Sequence, residues 1–166
     1  MTSHNPPIAL KGSCLCGSTT YTSTTLPTSL CYCHCTTCRR LSGAPFLPFF
    51  DLPSSSISFT STIDLKTLNL SAAAERAFCS SCGSPVYMKY KASPQSIGIC
   101  AGTVDENSMG PKGLGAVQGK ANHIFVGEKA GWYEIGEDGL RRYERFTDAM
   151  GEEDGGAQGE EKRQKE

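Results

Sequence analysis

Nine cysteines constrain this chain more than any other feature, because they are grouped rather than scattered. They fall into Cys14-Leu15-Cys16-Gly17, Cys33-His34-Cys35-Thr36-Thr37-Cys38 and Cys79-Ser80-Ser81-Cys82-Gly83, with Cys31 and Cys100 left over. A C-x-x-C followed by glycine makes a tight turn that aims two sulfurs at one point. The glycine supplies a positive φ without steric cost. A C-x-C in extended chain also presents two sulfurs on one face, since strand side chains alternate with period two. Two such hooks make a tetrahedron of thiolates. Cys14, Cys16, Cys79 and Cys82 are therefore expected to close around one structural zinc. Cys33, Cys35 and Cys38 supply only three sulfurs, one fewer than a closed site needs. Catalytic zinc sites keep one position for water or substrate, so this second, more open zinc is the expected place for chemistry. A metal suits an incoming thiol there, because it lowers the pKa of a bound thiol until it is deprotonated.

Competing readings of the same residues stay open. Cys31, His34 or His123 can be the fourth ligand of the second site and make it purely structural. Cys31 is the strongest competitor, because it shares the alternating segment with Cys33 and Cys35. His34 lies between two ligands and is expected to point away from their metal. A redox disulfide at Cys79 and Cys82 lacks the surrounding βαβ pattern, and the run lacks ferredoxin spacing for an iron–sulfur cluster. Cys100, inside Ile97-Gly98-Ile99-Cys100-Ala101, reads as a buried core thiol.

A chain of 166 residues is expected to form one domain and can bury a core without cross-links. The opening residues, 1–11, are polar and lack the apolar core of a secretory signal. No apolar run approaches membrane-spanning length. The expected location is cytosolic or nuclear, where thiols stay reduced and metal explains the cysteines better than disulfides. A net charge of −1, with no Lys/Arg-rich run, argues against direct nucleic-acid binding.

Short segments of β character recur between glycines and prolines, at residues 19–21, 46–52, 57–59, 65–70, 86–90, 97–101, 123–126, 132–135 and 140–143. Pro48 argues for an edge or a bulge in its strand. One helical turn is expected to end at Gly43, and the Gly- and Pro-rich segment 104–122 reads as a long loop. The expected fold is mainly β with little helix. Residues 1–11 read as a flexible lead, 12–147 as the zinc-binding domain, and 148–166, charged and Gly-rich, as a disordered tail.

The motif Gly12-Ser13-Cys14-Leu15-Cys16-Gly17 resembles the opening of the glutathione-dependent formaldehyde-activating enzyme family, whose domain is shared with centromere protein V. The second cysteine run with Arg39-Arg40 and Ser42-Gly43-Ala44 resembles that family's next motif. Glu75-Arg76-Ala77-Phe78-Cys79-Ser80-Ser81-Cys82-Gly83-Ser84 resembles the third. Ala101-Gly102-Thr103-Val104-Asp105 and His123-Ile124-Phe125-Val126, with Trp132 close behind, resemble later blocks. The resemblance implies a β-tent of antiparallel sheets joined around zinc. It implies two zinc ions per chain, structural on Cys14, Cys16, Cys79 and Cys82 and catalytic on Cys33, Cys35 and Cys38. It also implies glutathione as co-substrate and carbon–sulfur lyase chemistry on a small-molecule thiol adduct of formaldehyde or another electrophile.

Glutathione carries two carboxylates, and Arg39 and Arg40, directly after the zinc loop, are the candidate cations for them. The bland reading of both is a solvated surface arginine. His123 is a candidate acid–base group, against a structural histidine at a strand end. The competing function is a non-catalytic zinc module that binds a protein or chromatin partner, as the centromere protein V resemblance allows.

Overall fold

The computed structural model describes residues 7–147. The expected tail, 148–166, and the first six residues of the expected lead lie outside the described residues. In chain order the strands are β1 (Leu10–Ser13), β2 (Thr19–Ser23), β3 (Ser29–Cys33), β4 (Leu47–Pro53), β5 (Ile57–Thr62) and β6 (Leu65–Leu68). They continue as β7 (Ala74–Cys79), β8 (Pro85–Tyr90), β9 (Ser96–Cys100), β10 (Val104–Asp105), β11 (Ala121–Ile124) and β12 (Arg141–Arg142). Helix α1 (Thr36–Ser42) follows β3, and α2 (Glu106–Gln118) follows β10.

One sheet runs β10-β1-β2-β5 and the other β12-β11-β3-β4-β9-β8-β7-β6. The mainly β expectation is met. Among the described residues all strand pairings are antiparallel except those of β11, which runs parallel to both β3 and β12 and makes the larger sheet mixed. Leu10 and Tyr21 of the small sheet pack with Leu30, Phe50, Leu52, Ile97 and Ile99 of the large one into a shared core. With one core between them, the two sheets form a single domain.

Several expectations shift in register or kind. β1 begins at Leu10, inside the segment read as lead, because Leu10 is fully buried and pairs with Ser23 of β2. Pro48 does not mark an edge. β4 lies between β3 and β9, and β9 pairs with it only from Phe49 onward, so the proline sits where that ladder has ended. Residues 104–122 are not a long loop. Asp105 caps the first turn by accepting from the Asn107 N–H, and Gly110, at φ 65° and ψ 170°, breaks the helix so that Pro111 can restart it. Met109, Gly113 and Val117 form its buried face, a stripe too thin in apolar residues to read as amphipathic. Residues 132–135 are irregular chain leaving a turn at 131–132 rather than a strand, and Trp132 is 73% exposed. The helical turn expected to end at Gly43 is α1, closed by Gly43 at φ 66°.

Gly12 is required by packing. A Cβ there would overlap the Tyr21 phenol and the Thr103 carbonyl, because Tyr21 lies opposite Gly12 and its hydroxyl shares a 2.7 Å hydrogen bond with Thr103 Oγ1. Gly12→Ala is expected to destabilise the protein by about 1–3 kcal/mol, the usual cost of overpacking. A denaturant midpoint equal to wild type would show that the ring can move aside at no cost.

Candidate metal centres and the cavity between them

The first two hooks are hairpin tips. Cys14 and Cys16 lie in the β1–β2 turn of the small sheet, and Cys79 and Cys82 in the β7–β8 turn of the large one. Gly17 and Gly83 close the turns at φ 79° and 77°, donating back to the carbonyls of Cys14 and Cys79. That is the positive-φ role their spacing predicts. The four sulfurs lie within 4.8 Å of one another. Cys14 and Cys16 are 3.5 Å apart, and Cys16 and Cys79 3.7 Å. Tetrahedral zinc at about 2.3 Å from each sulfur sets neighbouring sulfurs about 3.8 Å apart, so the donor set fits that ion. Ser18 Oγ reaches the sulfurs of Cys16 and Cys79, and Ser84 Oγ reaches that of Cys82, at 3.2–3.3 Å. Ser84 also accepts the Leu15 N–H across the junction. Its hydroxyl, with backbone donors, holds the Cys82 thiol down to about 5.

The second group is Cys33, Cys35 and Cys38, also within 4.8 Å of one another. Cys33 ends β3, Cys35 is the cap of α1, and Cys38 is buried in its first turn. Cys35 Sγ accepts the Cys38 N–H at 3.4 Å, so the capping bond itself sets two of the sulfurs side by side. Hydrogen bonds from Cys33 and Cys38 hold the Cys35 thiol down to about 2, while the same sharing with Cys35 pushes Cys33 far up. One thiolate kept at the expense of its neighbours is what three crowded thiols do without a counter-charge. A divalent cation would relieve all three, and the sulfur donor set suits zinc.

Cys31, His34 and His123 stay outside this group. Cys31 lies two residues back on the same face of β3. His34 points to the opposite side, where its Nε2 shares a 2.8 Å hydrogen bond with His123 Nδ1. His123 Nε2 is in turn 2.8 Å from Asp138 Oδ2. Both histidines are buried, and burial followed by the neighbouring His123 holds His34 down to about 4. Cys100 is buried among apolar residues, as its surroundings in the sequence suggest.

Arg39 turns back on its own helix, donating to the His34 carbonyl at 3.2 Å and the Thr36 hydroxyl at 3.4 Å. Arg40 is exposed. The cation that does touch the second group is Arg76 of β7, whose Nη1 donates to Cys38 Sγ at 3.7 Å. The sequence carries no local signal for that contact, because Arg76 sits three residues before Cys79 and reads with the other metal site. Glu128 Oε2 accepts the Thr36 N–H at 2.8 Å and ties the start of α1 to the turn after β11.

Beside Cys33 opens a cavity of about 510 Å³ over β3, β4, β9 and β11. Cys31, Asp51, Asn122 and Tyr90 are among its lining residues, and neither Arg39 nor Arg40 is. Its volume falls in the range of small-molecule pockets.

Residues 9–127 match the family model described as glutathione-dependent formaldehyde-activating enzyme. The chain is similar to an uncharacterized lyase of Schizosaccharomyces pombe, 32% identical over 80 residues, which cover 48% of this chain and 57% of that protein. The chain thus spans a little over half the length of that relative. Its fold is similar to a structural-genomics crystal structure of a Rhodobacter sphaeroides protein, with a TM-score of 0.51 and 21% identity over 64% of this chain and 96% of that one. With the matched residues covering well over half of its length, the chain belongs to the glutathione-dependent formaldehyde-activating enzyme family.

Proposed function

We propose that this protein is a zinc-dependent carbon–sulfur lyase acting on a glutathione adduct of formaldehyde or of another small electrophile. The observation that carries this reading is the set of three sulfurs, Cys33, Cys35 and Cys38, of which Cys33 lines a pocket-sized cavity. Family membership and the lyase name of the fission-yeast relative support it. Cys14, Cys16, Cys79 and Cys82 would hold a structural zinc, and Cys33, Cys35 and Cys38 a catalytic one. When bound, the second ion would supply Lewis acidity and lower the pKa of a thiol beside it.

In the adduct-forming direction the thiol gives up its proton, its sulfur attacks the carbonyl carbon, and the resulting alkoxide takes up a proton. Cleavage is the reverse, and neither direction needs an oxidant or reductant. The chain's own residues orient and balance charge. Cys35 caps α1 and so fixes the spacing of the three sulfurs. Arg76 offsets negative charge that three thiolates leave in excess of one divalent ion. Buried His34 and His123 fill the far side of the loop and keep water out of it. Among the described residues no helix is long and apolar enough to cross a membrane, and thiols used in this way need a reducing compartment, for which we propose the cytosol.

Two ligand substitutions separate the two sites. Cys82→Ser is expected to lose zinc and to melt far below wild type or fail to fold, because binding energy at a closed four-thiolate site is folding energy. Cys35→Ser is expected to lose one zinc per chain and all adduct turnover while keeping a near-normal melting temperature. Metal analysis and calorimetry check both. A wild-type protein whose second zinc keeps four protein sulfurs through a glutathione titration, read by X-ray absorption, would make the protein a non-catalytic zinc module. Arg76→Gln is expected to speed chelator extraction of the second zinc about 10- to 100-fold, the usual effect of losing an outer-sphere partner, with the first zinc unaffected. Equal extraction rates in variant and wild type would remove Arg76 from the site.

A further inference from the structure

The geometry points to the cavity beside Cys33 as the seat of the amine end of the thiol co-substrate, with Asp51 receiving its ammonium and Asn122 a neighbouring N–H. This rests on the reading that the thiol sulfur sits at Cys33, Cys35 and Cys38. It adds which end of the molecule is recognised, and by what.

Strand alternation lays the cavity out as a ruler. Ser29, Cys31 and Cys33 of β3 all line it. Asp51 pairs with Ser29, Asn122 with Cys31, and Ile124 with Cys33. Four residues of strand separate the Ser29 rung from the Cys33 rung, a span of about 13 Å. In glutathione eight bonds join the sulfur to the amine nitrogen, about 10 Å when extended, and a hydrogen bond of about 3 Å to the carboxylate completes the span to Asp51. Between the two ends Phe49, Met88 and the unsubstituted Gly98 face the cavity, with Asn122 beside the middle rung at Cys31.

The far end carries an acid. Asp51 has one side-chain partner among the described residues, the Ser29 hydroxyl, which donates to Oδ2 at 2.6 Å. Among the described residues no Lys, Arg or His nitrogen lies within 4 Å of its carboxylate, and no Lys or Arg lines the cavity. Burial lifts the Asp51 carboxyl above its usual range, against the pull of Ser29. A carboxylate set in such a place without a counter-ion is costly, and an ammonium would supply both the charge and the missing donors. Asn122 also lines the cavity, and its Oδ1 is buried with no hydrogen-bond partner among the described residues. Buried acceptors are rarely left so. An acid with no Lys or Arg beside it favours the α-ammonium as the group that faces Asp51, with the α-carboxylate on the same carbon directed away from it, while Asn122 takes an N–H of the chain nearer the sulfur.

Calorimetry on the zinc-loaded full chain with glutathione, N-acetylglutathione and S-methylglutathione tests this. Wild type is expected to bind N-acetylglutathione about 10- to 100-fold more weakly than glutathione, the loss that goes with one charge-assisted hydrogen bond. Asp51→Asn is expected to weaken glutathione by a similar factor and to leave N-acetylglutathione unchanged. Equal wild-type affinity for glutathione and its N-acetyl form overturns the proposal, and that arm decides alone should the variant not fold. A folded Asp51→Asn protein that binds glutathione as wild type does also overturns it. The sulfur arm reads the underlying function separately. Equal affinity for glutathione and S-methylglutathione sinks the thiol reading of the cysteine site, whatever the amine arm gives, and no binding of any of the three sinks both.

Discussion

Crowded sulfur is the constraint on which the rest of this structure depends. Within each of two groups the thiols lie inside 4.8 Å of one another. Free cysteines pack well as small apolar groups, but these do not behave as such, since Cys35 is held down to about 2 while Cys33 is driven far up. The first group also sits where apolar burial is weak. Its hairpin tips carry Leu15, 87% exposed, and the polar pairs Ser80-Ser81 and Ser18-Thr19. The shared core of Leu10, Tyr21, Phe50 and Leu52 lies further down the sheets. At the tips a cation on Cys14, Cys16, Cys79 and Cys82 would be the available glue, and it would join the small sheet to the large one.

The period of a strand then divides structure from chemistry. On β4, Phe50 and Leu52 point into the core shared by the two sheets, whereas Phe49 and Asp51 point to the cavity. On β3, Leu30 goes to the core, while Ser29, Cys31 and Cys33 go to the cavity. A one-residue slip of β3 against β4 would exchange the two sets. The register that buries Leu30 therefore also aims Cys33, and the apolar face fixes the functional face without any dedicated scaffold.

That division explains what was legible in the sequence. Cysteine spacing and its glycines describe local geometry, and both sulfur groups assemble as the spacing implies. Alternating segments describe one face of a strand, and most of the strands follow them. Contacts across elements leave no local trace. Arg76 belongs by position to the Cys79 motif and by contact to Cys38. Asp51 looks like a strand-end carboxylate until its neighbours on β3 and β11 are known. The helix at 106–118 is hidden because Gly110 and Pro111 split it and a glycine occupies the middle of its buried stripe. The parallel placement of β11 is equally silent, since a strand's own residues do not state its direction.

Three ligands on one short segment would be a loose site if nothing else held them. Period two supplies the remedy. The alternation that sends Cys33 and Cys35 to one side sends His34 to the other, where it becomes a buried anchor. His34 bonds His123, and His123 bonds Asp138, whose own carboxylate is held below its usual range first by that histidine. The His34 N–H donates to the Ile124 carbonyl of β11, and the Thr36 N–H to Glu128 beyond it. Phe125, at φ 57°, turns the chain between those two contacts. A bulky residue in that region costs about 1–3 kcal/mol and persists where its surroundings enforce it. Ring contacts with Phe146 and the backbone bonds to Tyr143 and Arg145 enforce it here. The strain at Phe125 is thus spent on bringing Glu128 to the helix that carries Cys38, and a three-cysteine loop gains the rigidity that a fourth cysteine would otherwise have given it.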